Sequence, residues 1–270
     1  MSMPSDGSHL LPPPWGRLEL PLETTLRHRI GPRDHWFAFR DREIQVASAP
    51  VPEGEATPTP EPPEGVEWAR WAVPGEGRSV VLRPTLPNRS VVLQPELPFS
   101  LLPRAEARIY VRIPLWIRVE MADPERSLLS EVPTVDLSDT WWGSFLEGDL
   151  CYWLPTHARR EMRAELIQPY LAICPLLLVN RSGTDLRVEK LAFRVAHLSL
   201  FAHRGGLWAD ESVVRYQGEA EGSQIEITGK PPPEASGAIR VADPRIPVSR
   251  GFTARTFARL LAFPGLGGGS

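Results

Sequence analysis

Residues 105–121 read AEARIYVRIPLWIRVEM: every odd position from Ala105 to Met121 is apolar, while the even positions carry Glu106, Arg108, Tyr110, Arg112, Trp116, Arg118 and Glu120. A period of two is the mark of a strand, because successive side chains of extended backbone point to opposite faces, whereas a helix repeats every 3.6 residues. Such a segment buries one face and leaves the other wet, as an antiparallel sheet does over a core. Unbroken, the run would extend ~56 Å, far beyond the usual strand. Pro114 lies inside it and cannot donate to a ladder, so an edge position or a bend is expected there.

Outward from this stretch, further strand patterns fall near residues 17–30, 35–40, 43–48, 66–73, 79–83, 89–94, 149–154, 171–179, 185–203, 207–217 and 223–228. Many short strands separated by turn signals suit a sandwich or barrel. The expected fold is all-β, a mainly antiparallel β-sandwich, with two packed β subdomains as the alternative. Thirty prolines in 270 residues, about twice average usage, favour turns and short strands over long helices. The string VVLxPxLP occurs twice, at Val80–Pro87 and Val91–Pro98, and reads as two buried strands with extended exits. Between Leu186 and Ala202 the alternation changes phase twice, which predicts bulges near Glu189-Lys190 and Ala196-His197 or a strand buried on both faces. Residues 156–168 fit a helical stripe and a strand face almost equally, and the neighbouring β pattern favours strand.

Residues 50–65 (PVPEGEATPTPEPPEG) hold six prolines, four glutamates and no aromatic, so they cannot pack and read as a long solvated hairpin loop. The organisation expected is a disordered stretch at 1–14, a β domain over 15–245 and a basic terminal segment at 246–270. In the last, Ser249–Phe263 reads SRGFTARTFARLLAF. Phe257, Leu260 and Leu261 fall at i, i+3 and i+4, which predicts a short basic amphipathic C-terminal helix followed by a flexible Gly-rich tail. Phe252, Arg255, Phe257, Arg259, Leu260 and Leu261 are the candidate partner-binding residues, for a protein partner, a second copy or a membrane-associated partner.

Formal net charge of −3 excludes a global attraction to nucleic acid, and a single strand face with Arg108, Tyr110, Arg112, Trp116 and Arg118 is too local to overturn that. No run approaches the ~18 apolar residues of a membrane helix, and residues 1–14 lack the basic and apolar regions of a signal peptide, so a cytoplasmic protein is expected, peripheral to a membrane only through a partner. Cys151 and Cys174 read as buried free thiols, and Asn88 and Asn180, each opening an Asn-x-Ser triplet, read as turns. The six histidines form no metal motif, and nucleophile-elbow, Walker and dinucleotide motifs are missing, so no cofactor is expected. The one stretch with the ingredients of a sugar site is Val135–Leu154, where Asp139, Glu147 and Asp149 accompany Trp141 and Trp142. Paired carboxylates and tryptophan faces are what glycoside chemistry uses. A strand–turn–strand with acidic turn residues accounts for the same letters, and no spacing identifies a catalytic pair.

The ordered string Trp141-Trp142-Gly143, Glu147-Gly148-Asp149-Leu150-Cys151-Tyr152, Pro155-Thr156, Ala158-Arg159, Cys174-Pro175, Asn180-Arg181-Ser182, Leu207-Trp208, Val213 and Arg215-Tyr216 resembles the domain-of-unknown-function family numbered 432, of archaea and bacteria. The resemblance implies no catalytic set. It implies a genomic neighbourhood shared in some members with small-conductance mechanosensitive channels, and so a membrane-associated partner. Together these features describe a non-enzymatic interaction module, with a carbohydrate-binding or carbohydrate-active protein as the alternative.

Overall fold

The computed structural model describes residues 11–51, 61–73, 77–122, 127–146, 148–156, 158–163, 165, 167–218, 222–247 and 252–254. The chain opens with β1 (Gly16–Glu19) and a meander of β2 (Thr25–Ile30), β3 (Arg33–Arg40), β4 (Glu43–Pro50) and β5 (Ala69–Ala72). Then come β6 (Ser79–Thr85), β7 (Val91–Pro95), β8 (Phe99–Leu101), β9 (Glu106–Pro114), β10 (Trp116–Met121), β11 (Leu128–Pro133), β12 (Ser138–Trp142) and β13 (Asp149–Thr156). The last part holds β14 (Leu171–Asn180), β15 (Leu186–Val188), β16 (Leu191–Phe193), β17 (Leu200–His203), β18 (Gly206–Ala209), β19 (Ser212–Gly218), β20 (Gly222–Ile227), β21 (Ile239–Ala242) and β22 (Phe252–Ala254).

These strands form four-stranded sheets β1-β6-β10-β11, β12-β13-β7-β16 and β2-β3-β4-β5, the pair β15-β8, and an eight-stranded sheet. In the last, β21-β17-β18-β14-β19-β20-β22 run in order and β9 also pairs with β14. The ladders β13–β7, β14–β18 and β14–β19 are parallel; the other ladders of the described residues are antiparallel. The fold is all-β, and one hydrophobic core draws residues from every sheet, among them Phe37, Leu82, Leu93, Val188 and Leu176.

The alternating run at 105–121 is the hinge of this arrangement. Ile109, Val111, Ile113, Leu115, Ile117 and Val119 are all buried in the shared core. Yet the run is two strands: β9 pairs with β14, while β10 pairs with β6 and β11. The bend expected at Pro114 is realised at Leu115, whose N–H donates to Tyr170 O (3.0 Å) and whose carbonyl accepts from the Thr134 N–H (3.0 Å) and hydroxyl (2.7 Å). One backbone unit thus hands the chain from one sheet to another without losing the side-chain phase. Tyr170 also packs its ring on Gly31, where φ is +61° and an added Cβ would come within 2.7 Å of that ring. The β2–β3 turn is thereby seated against the same point.

Both copies of VVLxPxLP enter strands, β6 and β7, with all three apolar residues of each triplet buried. The phase changes after Leu186 are sheet switches rather than bulges in one strand: β15 pairs with β8, β16 with β7, and a 3-10 turn at Val195–His197 leads to β17 in the large sheet. β4 and β5 are antiparallel neighbours, so residues 51–68 join adjacent strands. Residues 158–163 form no regular strand, only an isolated bridge between Arg159 and Tyr110, which corrects the strand expected there.

The N-terminal segment packs earlier than Trp15, since Leu11 is already buried in the core. The expected C-terminal helix is also corrected in part: Phe252–Ala254 is extended and pairs with Ser223–Ile225 of β20, whose open edge offers unpaired backbone groups that a strand satisfies and a helix does not. Arg255, Phe257, Arg259, Leu260 and Leu261 lie outside the described residues, as does Glu147. Among the described residues no helix is long and apolar enough to cross a membrane.

Because Val111 is 1% exposed and points into the shared core, Val111→Asp places an unpaired charge there and should cost several kcal/mol, or prevent folding. Arg112→Asp, on the half-buried opposite face, should cost about 1 kcal/mol or less. Urea unfolding of the two variants checks the assignment, and equal midpoints would refute it.

Candidate functional site

The residues singled out at Asp136–Trp153 fold into the antiparallel ribbon β12–β13, in register Asp139↔Tyr152, Trp141↔Leu150 and Trp142↔Asp149. Alternation then separates the two tryptophans. Trp142 is buried with Val92, Cys151 and Ala192 in a small cluster on one face, against which Trp153 packs under the Lys190 ammonium (4.8 Å). Trp141 lies on the other face together with Leu150, Tyr152 and Leu154.

Further along, this second face belongs to the shared core, where Tyr152 and Leu154 pack. The partner strand β7 begins only at Val91, opposite Tyr152, so Asp149–Cys151 pair with β12 alone and the ribbon overhangs the sheet. The apolar pattern continues past the margin of the core. Trp141 is 51% exposed, Leu150 44%, and Phe145 and Leu146 at the turn 91% and 89%. The turn itself is shaped: Trp141 Nε1 donates to Ser144 O at 2.9 Å, and any side chain at Gly148 would overlap the Trp141 indole and the Ser144 carbonyl. Isolated exposed apolar residues are ordinary; four in one projecting element are not.

Each described aspartate of the same region has an arginine partner. Asp136 is bonded by Arg33, Asp139 by Arg89 (3.2 Å) and Asp149 by Arg194 (2.7 Å). The Arg89 guanidinium also lies over the Tyr152 ring at 5.4 Å, and the Tyr152 hydroxyl donates to Asn88 Oδ1 at 2.9 Å. Trp142 is thus buried, and each of these three aspartates is held by an arginine.

The mixed cation–aromatic face of residues 108–118 is divided too. Arg108 bonds Glu211 and Glu234 (3.0 Å), and its Nε donates to the Tyr110 hydroxyl (3.1 Å), which in turn donates to Glu234. Burial raises the Tyr110 phenol, and the bond to Glu234 adds to the rise. Trp116 and Arg118 belong to another sheet, where Arg118 faces Glu120 and Glu131 at 3.5 and 3.4 Å. The open cleft of about 370 Å³ beside the Arg108 network, lined by Glu211, Lys230 and Pro231–Pro233, therefore has its carboxylate already neutralised. Among the described residues no three His, Cys, Asp or Glu side chains group as metal ligands. Burial raises both Cys151 and Cys174 thiols, which keeps them protonated and unreactive.

Other polar residues prove structural. Buried Asn180 donates to Leu101 O (2.9 Å) and Thr184 O (2.8 Å) and accepts from the Ser182 N–H (3.0 Å), so the Asn-Arg-Ser motif clamps two loops. Asp34, 1% exposed, is bonded by Arg27 and by Arg29 (2.8 Å). Burial alone would raise its carboxyl, but the two arginine bonds outweigh that and hold it at about 2. Its neighbour His35 is buried with no hydrogen-bond partner for Nε2 among the described residues. Burial, reinforced by the Arg33 charge, pushes that imidazole down to about 3.

Among the described residues of this all-β scaffold the titratable clusters of the candidate region are internally paired, and the conspicuous exposed feature is the apolar ribbon. The family described as protein of unknown function (DUF432) matches residues 14–262, and the chain belongs to it. No curated protein and no solved structure matches the chain.

The perturbed groups make a pH prediction. The unfolded chain binds a proton at His35 near pH 6.5 and the folded chain only near 3, so this contribution is complete above about 6.5 and is lost as pH falls towards 3. A tenfold difference in proton affinity between the two states is worth about 1.4 kcal/mol, so His35 alone should carry several kcal/mol. Asp34 adds a loss that begins only as pH falls below about 4, its unfolded carboxyl titrating near 3.8. His35→Gln should flatten the fall between pH 6 and 4 in urea midpoints. Asp34→Asn, which removes the carboxylate that half-buried Arg27 and Arg29 both bond, should cost about 3 kcal/mol at pH 7.

Proposed function

We propose that the protein is a non-enzymatic interaction module that binds a protein partner, or a second copy of itself, through the overhanging β12–β13 ribbon. The single observation that carries this is the exposure of Phe145 and Leu146 at the tip of a turn that Trp141 and Gly148 hold in shape. β12 is also an edge strand of its sheet, so backbone pairing along Ser138–Trp142 can accompany side-chain burial. A partner at the membrane, such as the mechanosensitive channel that the resemblance implies, with the protein itself peripheral, is one form this proposal takes. The carbohydrate reading finds no support in the ribbon, because Asp139 and Asp149 are held by arginines and Trp142 is buried.

Phe145→Ser combined with Leu146→Ser removes apolar surface that nothing on the described chain covers. It should therefore leave unfolding stability within about 0.5 kcal/mol of wild type. If the ribbon is the contact, wild type should gain mass with concentration on sedimentation, or retain a protein partner on affinity capture, and the same pair of substitutions should abolish it. A variant that assembles like wild type overturns the proposal. A glycan that raises the wild-type melting temperature, by the equivalent of about 2.7 kcal/mol at 100 times its Kd, moves the site to the carbohydrate reading.

A further inference from the structure

We propose that the narrow recess over β9 is a binding site for a phosphoryl group, with Arg112 and Arg159 as its two cationic ligands. Ile173 of β14 and Met162 give the recess apolar walls, and Thr156 and Ala158 line it where the chain leaves β13. Its position follows from the fold. β9 pairs with β14 along one edge. At the chain leaving β13 it makes a single bridge, in which the Tyr110 N–H donates to Arg159 O (2.7 Å) and the Arg159 N–H to Tyr110 O (3.2 Å). Ala158 precedes that bridge at φ +43°, left-handed backbone that costs strain for a residue with a Cβ. The turn delivers Arg159 to the recess that Arg112, two residues on from Tyr110 and on the same face of β9, also lines.

The two guanidinium groups have no counter-charge. Among the described residues no carboxylate lines the recess, and neither Arg112 nor Arg159 bonds one. The acids of the surrounding segments are engaged elsewhere: Glu161 and Glu165 by Arg163 (3.4 and 3.8 Å), and Glu234 by Arg108 (3.0 Å) and the Tyr110 hydroxyl. Arg160, the next residue, lies over the Phe99 ring at 5.9 Å. Across the ladder Arg112 faces buried Ile173, so its cross-strand neighbour is apolar. Like charges beside apolar walls repel more strongly than in bulk water, and an anion placed between them replaces that repulsion with two attractions.

Charge, donors and size select the anion. A carboxylate balances one guanidinium, whereas a phosphoryl monoester carries about −1.5 to −2 near pH 7 on three acceptor oxygens and so balances both. Thr156 adds a neutral donor: its Oγ1 accepts from the Ala158 N–H (3.4 Å), and among the described residues its hydroxyl hydrogen is left to donate. The enclosed space is about 10 Å³, room for one water or one phosphoryl oxygen. The group therefore enters by a single oxygen, and its other oxygens stay at the mouth with exposed Arg159. The body of the ligand lies outside, so free phosphate, a phosphorylated metabolite and a lipid headgroup all present the same chemistry.

The test is isothermal titration of the full-length chain, near neutral pH and at fixed ionic strength, with inorganic phosphate, glycerol 3-phosphate and vesicles containing phosphatidic acid, and with acetate as the carboxylate control. One phosphate site per chain is expected. Its affinity should fall at least about tenfold in Arg112→Gln and in Arg159→Gln, the loss of one charge-assisted hydrogen bond. It should be unchanged in Arg70→Gln, a substitution on β5 in another sheet. Without phosphate, Arg159→Gln should melt no lower than wild type, because an arginine that faces a like charge does not support the fold. Added phosphate should raise the melting temperature of wild type and leave that of Arg159→Gln where it was. Binding of glycerol 3-phosphate or of the vesicles shows which source the site serves, and either supports it. Acetate binding as tightly as phosphate, phosphate binding that survives both substitutions, or no binding of any phosphoryl probe at millimolar concentration overturns the proposal.

Discussion

The fold depends on the backbone of Leu115. Its N–H is bonded to Tyr170 at the entry to β14, and its carbonyl to Thr134 beyond β11, so one residue belongs to the hydrogen-bonding systems of two sheets. Residues on either side keep their alternation, and Ile113, Leu115 and Ile117 line the same core although their strands pair with different neighbours. A proline at 114 suits this position because β9 is an edge strand whose long ladder is with β14. The ring of Tyr170 against Gly31 brings a third sheet to the junction. Any loss here would uncouple the sheets that enclose the shared core, rather than fray one margin.

Polar groups follow the same dependence on position. The even face of the run is not simply solvated: Tyr110 is buried with Ile173, Trp208 and Ala235, and Arg108 reaches two glutamates from distant segments. Glu120 is bonded by Arg83 at 3.1 Å, and Glu131 by Arg245. Buried or half-buried arginines of this kind satisfy carboxylates that would otherwise be desolvated without a partner, and they leave little free charge for chemistry. The shifts at Asp34 and His35 have the same origin, in burial and in the arginines beside them.

The ribbon is the exception, and its exposure has a geometric cause. Its apolar face is patterned as if the core extended beneath it, but β7 begins at Val91 and the cover ends with it. An apolar face without cover is stable in water only at a cost that another surface can relieve.

Much of the fold was legible in the letters alone. Period-two alternation at 105–121, the twin VVL triplets and the proline content determined an all-β protein, because side-chain alternation and proline's missing donor are local properties of the backbone. Phase changes after Leu186 marked the right places but not their meaning, since a bulge and a switch between sheets leave the same trace in one strand. The helix read at 249–263 failed at Phe252–Ala254 because the edge of β20 supplies hydrogen bonds that periodicity cannot see. The Asp136–Trp153 stretch stands out in sequence, but its chemistry could not be judged there: whether a carboxylate is free depends on Arg33, Arg89 and Arg194, whose bonds to these aspartates span at least 45 positions of chain. Sequence by itself determined which residues could face a core; only the tertiary structure decided where that core ends, because cover is a property of neighbours brought together from elsewhere in the chain.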